Sequence, residues 1–455
     1  MSKGTSRRFF LMSTAAVGVA YAMPKMLRGE TSVSANSKLN VACVGVGGRG
    51  QADLLETAKC KGVNIVALCD VDSNAIKKAQ AELHKAATRQ AAAESSPKEY
   101  ADFRKMLDEM KNDIDGVVIA TPDHCHAPAA IRAMALGKHV YVEKPLTYTI
   151  AEARAMTEAA KKYKVVTQMG NQHHSSEGAH QVVELINSGA IGHIKEVHCW
   201  TDRPIWPQGI GWPKPSANVE VPQNLDWNLW LGPTTADIPY NKAYAPFNWR
   251  GWKEWGTGAL GDMGCHIMDT ANWALDLSRP TSVEAVDCWN LTDATFPTGS
   301  TIKYTFPARG NKPPCVLFWH DGHNPAGHLN QPELYKYTKL FDNGTLWIGD
   351  KGSSLSQYDK GPRPLGEELD EFKLPAPSLP RSQEHHQEWV TACTGGRPAD
   401  CNFEYAGPLT ELVLLGNLPL RAGKKIEWDA EKMEVKNDSA ANQYVSREYR
   451  KGWEI

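Results

Sequence analysis

The chain has 455 residues, 42% of them hydrophobic and 22% charged, with a formal net charge of -2. That length calls for two or three domains of ordinary globular composition, and the near-neutral balance excludes a basic face for nucleic acid or for an anionic membrane. The ten cysteines lack paired spacing; Cys43, Cys69 and Cys199 fall in expected strands and read as buried thiols rather than a disulfide framework.

In chain order, the first feature is Ser6-Arg7-Arg8-Phe9-Phe10-Leu11, a twin-arginine pattern. It runs into a mildly apolar stretch ending at Ala20-Tyr21-Ala22, which has the form of a cleavage site and is too short to cross a bilayer. Residues 1–35 are therefore read as an export signal and linker that carry the folded chain to the periplasm. A disordered basic tail is the alternative.

Next, Val41-Ala42-Cys43-Val44 is an apolar strand that breaks into Gly45-x-Gly47-x-x-Gly50, with Gly48 and Arg49 between. In this pattern Gly45 permits a tight turn and Gly47 lets backbone amides approach a pyrophosphate. Gly50 lets the following helix lie close to its strand, the positive end of its dipole toward the phosphates. A second strand, 63–69, ends at Asp70, twenty residues past Gly50, where a carboxylate accepts hydrogen bonds from an adenosine ribose diol. A carboxylate there repels a 2′-phosphate, so NAD is expected over NADP, with Lys77 and Lys78 a minor counterweight. A ligand-free glycine turn is the competing reading.

The alternation continues with a helix at 50–60, a helical stretch at 74–93, a helix at 98–111, a strand at 116–121 and a helix at 126–136. A strand at 138–143, a helix at 149–162 and a strand at 165–169 complete an α/β Rossmann domain over 38–169, a doubly wound parallel sheet. Ligands of such sheets sit beyond the carboxyl ends of the strands, where Thr121-Pro122 and Glu143-Lys144-Pro145 fall. From residue 170 the texture changes. A helix at 178–188 and a strand at 194–201 precede a Trp- and Pro-rich insert at 203–256. A helix at 262–276 leads into strands at 282–290, 300–306, 315–320 and 337–348, a proline-rich loop at 361–380 and a helix at 382–394. This order predicts a C-terminal α+β domain, 170–455, with a largely antiparallel open sheet.

Two constellations carry chemistry. Lys144, at a strand end facing the nicotinamide side of such a cofactor, can hydrogen-bond and polarise a substrate oxygen; it can equally be a surface lysine before a proline turn. Asp262 and His266 stand four apart on a helix and share a face. The histidine suits a base for a hydroxyl proton while the carbon-bound hydride leaves. Asp262 could orient the substrate, and Asp269 could hold the other ring nitrogen of His266. A capping aspartate and a packed histidine fit the same spacing. Asn171 and His173, just past the last Rossmann strand, are placed to touch substrate hydroxyls. His124, His126, His173, His174, His385 and His386 come without acidic or thiol partners at ligand spacing, so no metal is assigned.

Together, Gly45-x-Gly47-x-x-Gly50, Ala120-Thr121-Pro122-Asp123-x-x-His126, Glu143-Lys144-Pro145 and Asp262-x-x-x-His266 resemble the Gfo/Idh/MocA oxidoreductases over residues 38–455. The resemblance implies a two-domain fold, an NAD or NADP reaction on polyols, sugars or their derivatives, and Lys144, Asp262 and His266 as catalytic triad. It implies a cofactor site formed by Gly45, Gly47, Gly48, Arg49, Gly50, Asp70, Thr121, Pro122, His126, Glu143 and Lys144, a cis Pro145, and a homo-oligomer. The insert departs from the family in holding Trp206, Trp212, Trp227, Trp230, Trp249, Trp252 and Trp255. Indoles stack on sugar faces, but they also pack a loop that has no other core. The expected protein is an exported oxidoreductase with tightly held NAD acting on a small-molecule carbohydrate. The alternatives are a redox-assisted glycoside hydrolase and a non-catalytic carbohydrate-binding protein.

Overall fold

Short apolar runs form β1 (Leu39–Val44), β2 (Val63–Cys69), β4 (Gly116–Ile119) and the centre of β5 (His139–Glu143), with the more polar β3 (Lys98–Tyr100) and β6 (Thr167–Gly170) at the two edges. They make one sheet in the order β3-β2-β1-β4-β5-β6, with every pair parallel. Burial on both faces explains the continuous apolar runs. The computed structural model describes residues 38–89, 96–213, 219–322, 342–358, 360–365 and 373–455. The expected export signal, the end of the 74–93 helix and the start of the 337–348 strand lie outside them.

The crossovers are α1 (Arg49–Lys59), α2 (Ser73–Arg89), α3 (Phe103–Glu109), α4 (His126–Ala135) and α5 (Ile150–Tyr163). The helix expected over 98–111 is instead a strand and a shorter helix. Lys98, Glu99 and Tyr100 pair with Ala67, Leu68 and Cys69 at the open edge, and Asp102 caps α3 by accepting from the Arg104 amide at 2.9 Å. The strand order reverses between β1 and β4, which leaves a crevice at their carboxyl ends.

The chain continues through α6 (Glu177–Asn187), β7 (Ile194–Thr201), α7 (Trp227–Leu231), α8 (Gly258–Ile267) and α9 (Asp269–Leu275). Strands β8 (Ser282–Trp289), β9 (Gly299–Phe306), β10 (Cys315–Asp321), β11 (Asn343–Gly349), β12 (Ser353–Gln357), β13 (Pro362–Leu365), β14 (Ile426–Asp429) and β15 (Glu434–Val435) follow. They form a nine-stranded sheet with β7, in the order β13-β12-β11-β7-β10-β9-β8-β14-β15. The β7–β10 pair is parallel and its neighbours are antiparallel. The expected helix over 262–276 is two helices, because α8 ends at Ile267 and Asp269 opens α9. Part of the proline-rich loop is β13, paired with β12 at the sheet edge, where prolines need no donor.

The helix Phe403–Leu415 is buried almost all round. Its sequence therefore shows no polar face by which to predict it. The helix His385–Cys393 returns to the first sheet. There fully buried Trp389 fits against Gly116, whose added Cβ would lie 3.0 Å from the indole, and Val390 and Cys393 join Leu39, Val41 and Leu68 in one apolar cluster. Six of the seven insert tryptophans are buried, and Trp227, Trp230, Trp249, Trp252 and Trp255 share a cluster with Tyr244 and Ala294. The insert has little regular structure, so its indoles supply its core. Trp212 alone of the seven is exposed, at 45%, and its ring lies 5.0 Å from that of Trp252. All ten cysteines are unpaired thiols, most of them buried.

Candidate active site

The glycine loop joins β1 to α1 at the crevice. Gly45 has φ +77°, and a Cβ there would sit 2.7 Å from the Ala120 carbonyl carbon; one on Gly50 would sit 1.8 Å from the Gly45 oxygen. The first glycine is required by conformation and the third by the closeness of helix to strand. Gly48, at φ +52°, has nothing within 4 Å of the space a side chain would take. The ribose-side carboxylate, Asp70, accepts from the amides of Val46 and Asp72 at 2.8 and 2.9 Å. Burial pushes its carboxyl up to about 6, against the pull of those amides. This cradle fits a dinucleotide: a helix amino end, a glycine turn open above Gly48, and a carboxylate at the end of β2.

Arg49 and Glu143 pair with each other. Arg49 pairs with Asp53 at 2.5 Å and with Glu143 at 3.2 Å, and Glu143 Oε1 also accepts from Gln172 at 2.7 Å. Burial, then Asp53, push the Glu143 carboxyl upward, while Arg49 and Lys144 pull it back. Gly170 is required here, since a Cβ would fall 2.3 Å from Glu143 Oε1. Thr121 and Pro122 stand at the edge of β4. The two ring nitrogens of His126 lie 2.8 and 2.9 Å from the carbonyls of Thr121 and Pro145, so this imidazole ties the two strand-end loops together. The Lys144–Pro145 bond is cis.

Lys144 reaches α8. Its Nζ donates to the Asp262 carbonyl at 2.8 Å and to Asp262 Oδ1 at 3.0 Å, leaving the third ammonium hydrogen for a ligand. Arg250 Nε stands 3.3 Å from the same Oδ1. Burial alone would raise Asp262, but Lys144 and then Arg250 hold it at about 2. Arg250 comes from the insert, its guanidinium lying 4.3 and 4.7 Å from the Trp249 and Phe247 rings. No sequence pattern marked it. Asp123, buried nearby and pushed up to about 7 by burial, accepts from Thr257 at 2.6 Å, just before α8.

His266 lies one turn beyond Asp262, 6% exposed. Its Nδ1 donates to Asn171 Oδ1 at 2.6 Å, a tautomer assigned from the hydrogen-bond pattern, which leaves Nε2 as the basic nitrogen. Burial first, then Lys144 and His173, hold the imidazole well below its ordinary 6.5. Asn171 Nδ2 is buried with no partner among the described residues. The expected partnership of Asp269 with His266 does not form. Asp269 belongs to the next helix, where it pairs with His174 Nδ1 at 2.9 Å and accepts from the Tyr405 hydroxyl at 2.6 Å. His173, His266, Thr270, Thr345, Tyr358 and Lys360 line one cleft, with Tyr358 4.7 Å from the His173 ring and edge-on to His266 at 5.6 Å. Tyr358, too, was invisible to the sequence reading.

The fold and the glycine cradle define a dinucleotide-binding oxidoreductase architecture, and comparison with known proteins identifies its family. Residues 39–171 match the model of the oxidoreductase family's NAD-binding Rossmann fold and residues 180–324 that of its C-terminal alpha/beta domain; the chain belongs to the Gfo/Idh/MocA family. It is 31% identical over 236 residues to a levoglucosan dehydrogenase of Pseudarthrobacter phenanthrenivorans, covering 52% of this chain and 50% of that one. It is also 31% identical over 157 residues to a glycosyl hydrolase family 109 protein of Shewanella putrefaciens, covering 34% and 33%. The chain thus spans half or less of these curated relatives. The fold is that of the WlbA dehydrogenase from Bordetella pertussis, solved with NADH and UDP-GlcNAcA, at TM-score 0.60 and 17% identity, covering 86% of this chain and 99% of that one.

Proposed function

We propose that this protein is an NAD-dependent oxidoreductase acting on a hydroxyl of a sugar, sugar acid or glycoside. The observation that carries the reading is the convergence of Lys144 and Asp262, with His266 one turn on and its Nδ1 anchored by Asn171. NAD, held by the glycine loop and Asp70, supplies the hydride acceptor when bound. Lys144 donates its free ammonium hydrogen to the substrate oxygen and stabilises the negative charge that grows there. Asp262 and Arg250 fix the position of that ammonium. Neutral His266 takes the hydroxyl proton on Nε2 and shares the resulting charge with Asn171 through Nδ1. Asn171 Nδ2 offers a donor to a second substrate hydroxyl, and His173 lines the same cleft. Among the described residues no helix is long and apolar enough to cross a membrane.

The twin-arginine pattern supports export to the periplasm, where free NAD is scarce, so NAD is read as tightly held, with a second sugar taking up the hydride that the first gives. The insert supports retention. Asn224 and Asp226 pair with Val71, Asp72 and Ser73 immediately after Asp70, tying the insert to the ribose end of the loop. A homo-oligomer completes the proposal. Denaturing the purified chain and identifying the released nucleotide by mass tests retention. An empty protein that gains activity only with added NADP would sink it. The family 109 relative favours one second reading, transient oxidation that labilises a glycosidic bond. That reading requires sugar release from a nitrophenyl glycoside with no net NADH, whereas the proposed oxidoreductase leaves the glycoside intact.

A further inference from the structure

A second cavity, of about 200 Å³, lies apart from the cleft of His173 and His266 and shares no lining residue with it. Its walls come from the start of α5, the insert, the helix pair after residue 403 and the C-terminal segment. Two of its polar groups have no partner among the described residues. These are Thr234 Oγ1 and Asn417 Oδ1, on side chains 4% and 7% exposed. Asn417 Nδ2 already donates to the Thr257 carbonyl at 2.9 Å, so its oxygen is the amide atom left to accept. A buried hydroxyl and a buried amide oxygen both require hydrogen-bonding occupants.

The charges around this space are balanced. Arg447 is neutralised by Glu152 at 2.6 Å. Arg421, anchored to the Lys253 carbonyl at 2.9 Å, faces the same cavity as Glu254, and burial raises the Glu254 carboxyl while the two arginines pull it down. A bare anion would meet Glu254 and a bare cation would meet Arg421. The Phe296 and Tyr444 rings, each 5.7 Å from the Arg421 guanidinium, add apolar faces. Donors, acceptors and flat apolar walls in one small space suit a neutral molecule carrying hydroxyls on a carbon ring. The space admits several waters, which a small hydroxylated ring would replace.

We propose that this cavity is a second ligand site, distinct from the catalytic cleft, for a neutral polyol of monosaccharide size. Hydrogen–deuterium exchange on the full chain, with D-glucose or myo-inositol as probe, tests it by location. Protection is expected in segments 414–421 and 443–448, which hold none of Lys144, Asp262 or His266. Thr234→Val removes one hydroxyl that no protein group uses; it should leave the thermal midpoint unchanged and raise the half-protecting concentration about five- to tenfold. Thr235→Trp, at the exposed rim, should abolish the protection while turnover persists. No protection with either probe, or protection that both variants leave untouched, overturns the proposal. Because the readout is exchange rather than turnover, an inactive enzyme would count against the proposed reaction and not against this site.

Discussion

Replacing Asn171 with aspartate tests whether His266 is the proton acceptor, because it places a charge where the wild type has a neutral amide oxygen. In the wild type, burial and then the charge of Lys144 keep the imidazole well below 6.5, so oxidation should show no imidazole limb above about pH 6.5. The Asn171 oxygen is 2.6 Å from Nδ1, which puts a carboxylate charge roughly 4 Å from the centre of an imidazolium. With an effective dielectric of about 20, that attraction is about 4 kcal/mol, or roughly three units. Burial opposes ionisation of the new carboxyl and Lys144 draws on the same charge, so about one to two units should reach His266. The sign is fixed. A raised imidazole is protonated at higher pH, and a protonated base cannot accept the hydroxyl proton. The acid limb of kcat/KM must therefore move toward alkaline pH. Loss of the Nδ2 donor will raise KM as well, so the position of the limb is the readout rather than its height. A limb that stays in place in Asn171→Asp, while His266→Asn leaves the wild-type profile intact, refutes the assignment.

Lys144→Met should lower kcat at least a hundredfold while circular dichroism and nucleotide content stay native, since an ammonium aimed at a developing oxyanion contributes about 10²–10³; activity within tenfold of wild type would contradict its role. Gly50→Ala drives a Cβ to 1.8 Å from the Gly45 oxygen, so mass spectrometry of released nucleotide should find none, and a loaded variant would show that the loop yields more easily than its geometry implies. Arg250→Ala removes one of two cations on Asp262 Oδ1 and should cost about ten- to a hundredfold in kcat/KM, read by steady-state kinetics; an unchanged value would confine Arg250 to packing. Asp262, held at about 2 against an ordinary 3.8, contributes about 2 kcal/mol of stability that is present above pH 3.8 and lost as pH falls toward 2. The urea-midpoint gap between wild type and Asp262→Asn should therefore shrink between about pH 5 and pH 3, and a gap that ignores pH would rule out this linkage.

The Rossmann half was legible because each of its signals is local. A glycine turn, an apolar run and an acidic residue at the next strand end are all written within about thirty residues. The same holds for Lys144 before its cis proline and for the i, i+4 pair of Asp262 and His266. What failed was local as well. Lys98–Tyr100 reads as helix until the open edge of β2 recruits it, and Phe403–Leu415 has no amphipathic period because both of its sides are covered. The break at Met268 defeats the Asp269 reading, since one residue between two helices redirects the next side chain. The insert tryptophans show how little residue type says without burial. Seven indoles fit a sugar platform or the core of a loop equally well by type; burial shows that five of them share one cluster within the loop and a sixth is buried beside it.

Several pairings that the sequence could not reveal join residues far apart in the chain. The pairing of His266 with Asn171, 95 residues upstream, is one such case, whereas Arg250 stands only twelve residues before Asp262 and was missed because the insert has no periodic pattern. The polar cluster beneath the glycine loop is the extreme case, because Asp53 pairs with Arg49 four residues on one side and with His386, 333 residues away, on the other. Arg49 is thereby shared between two buried carboxylates, Asp53 and Glu143, and this restrains the first turn of α1, whose amides face the nucleotide phosphates in such folds. Arg49 and Glu143 can thus serve the cofactor through the loop they hold in place. Glu143 also precedes Lys144, and its Oε2 lies 3.2 Å from the Lys144 amide. One buried cluster therefore holds both the glycine loop and the Lys144 backbone, so under the proposed function cofactor binding and catalysis would share one support.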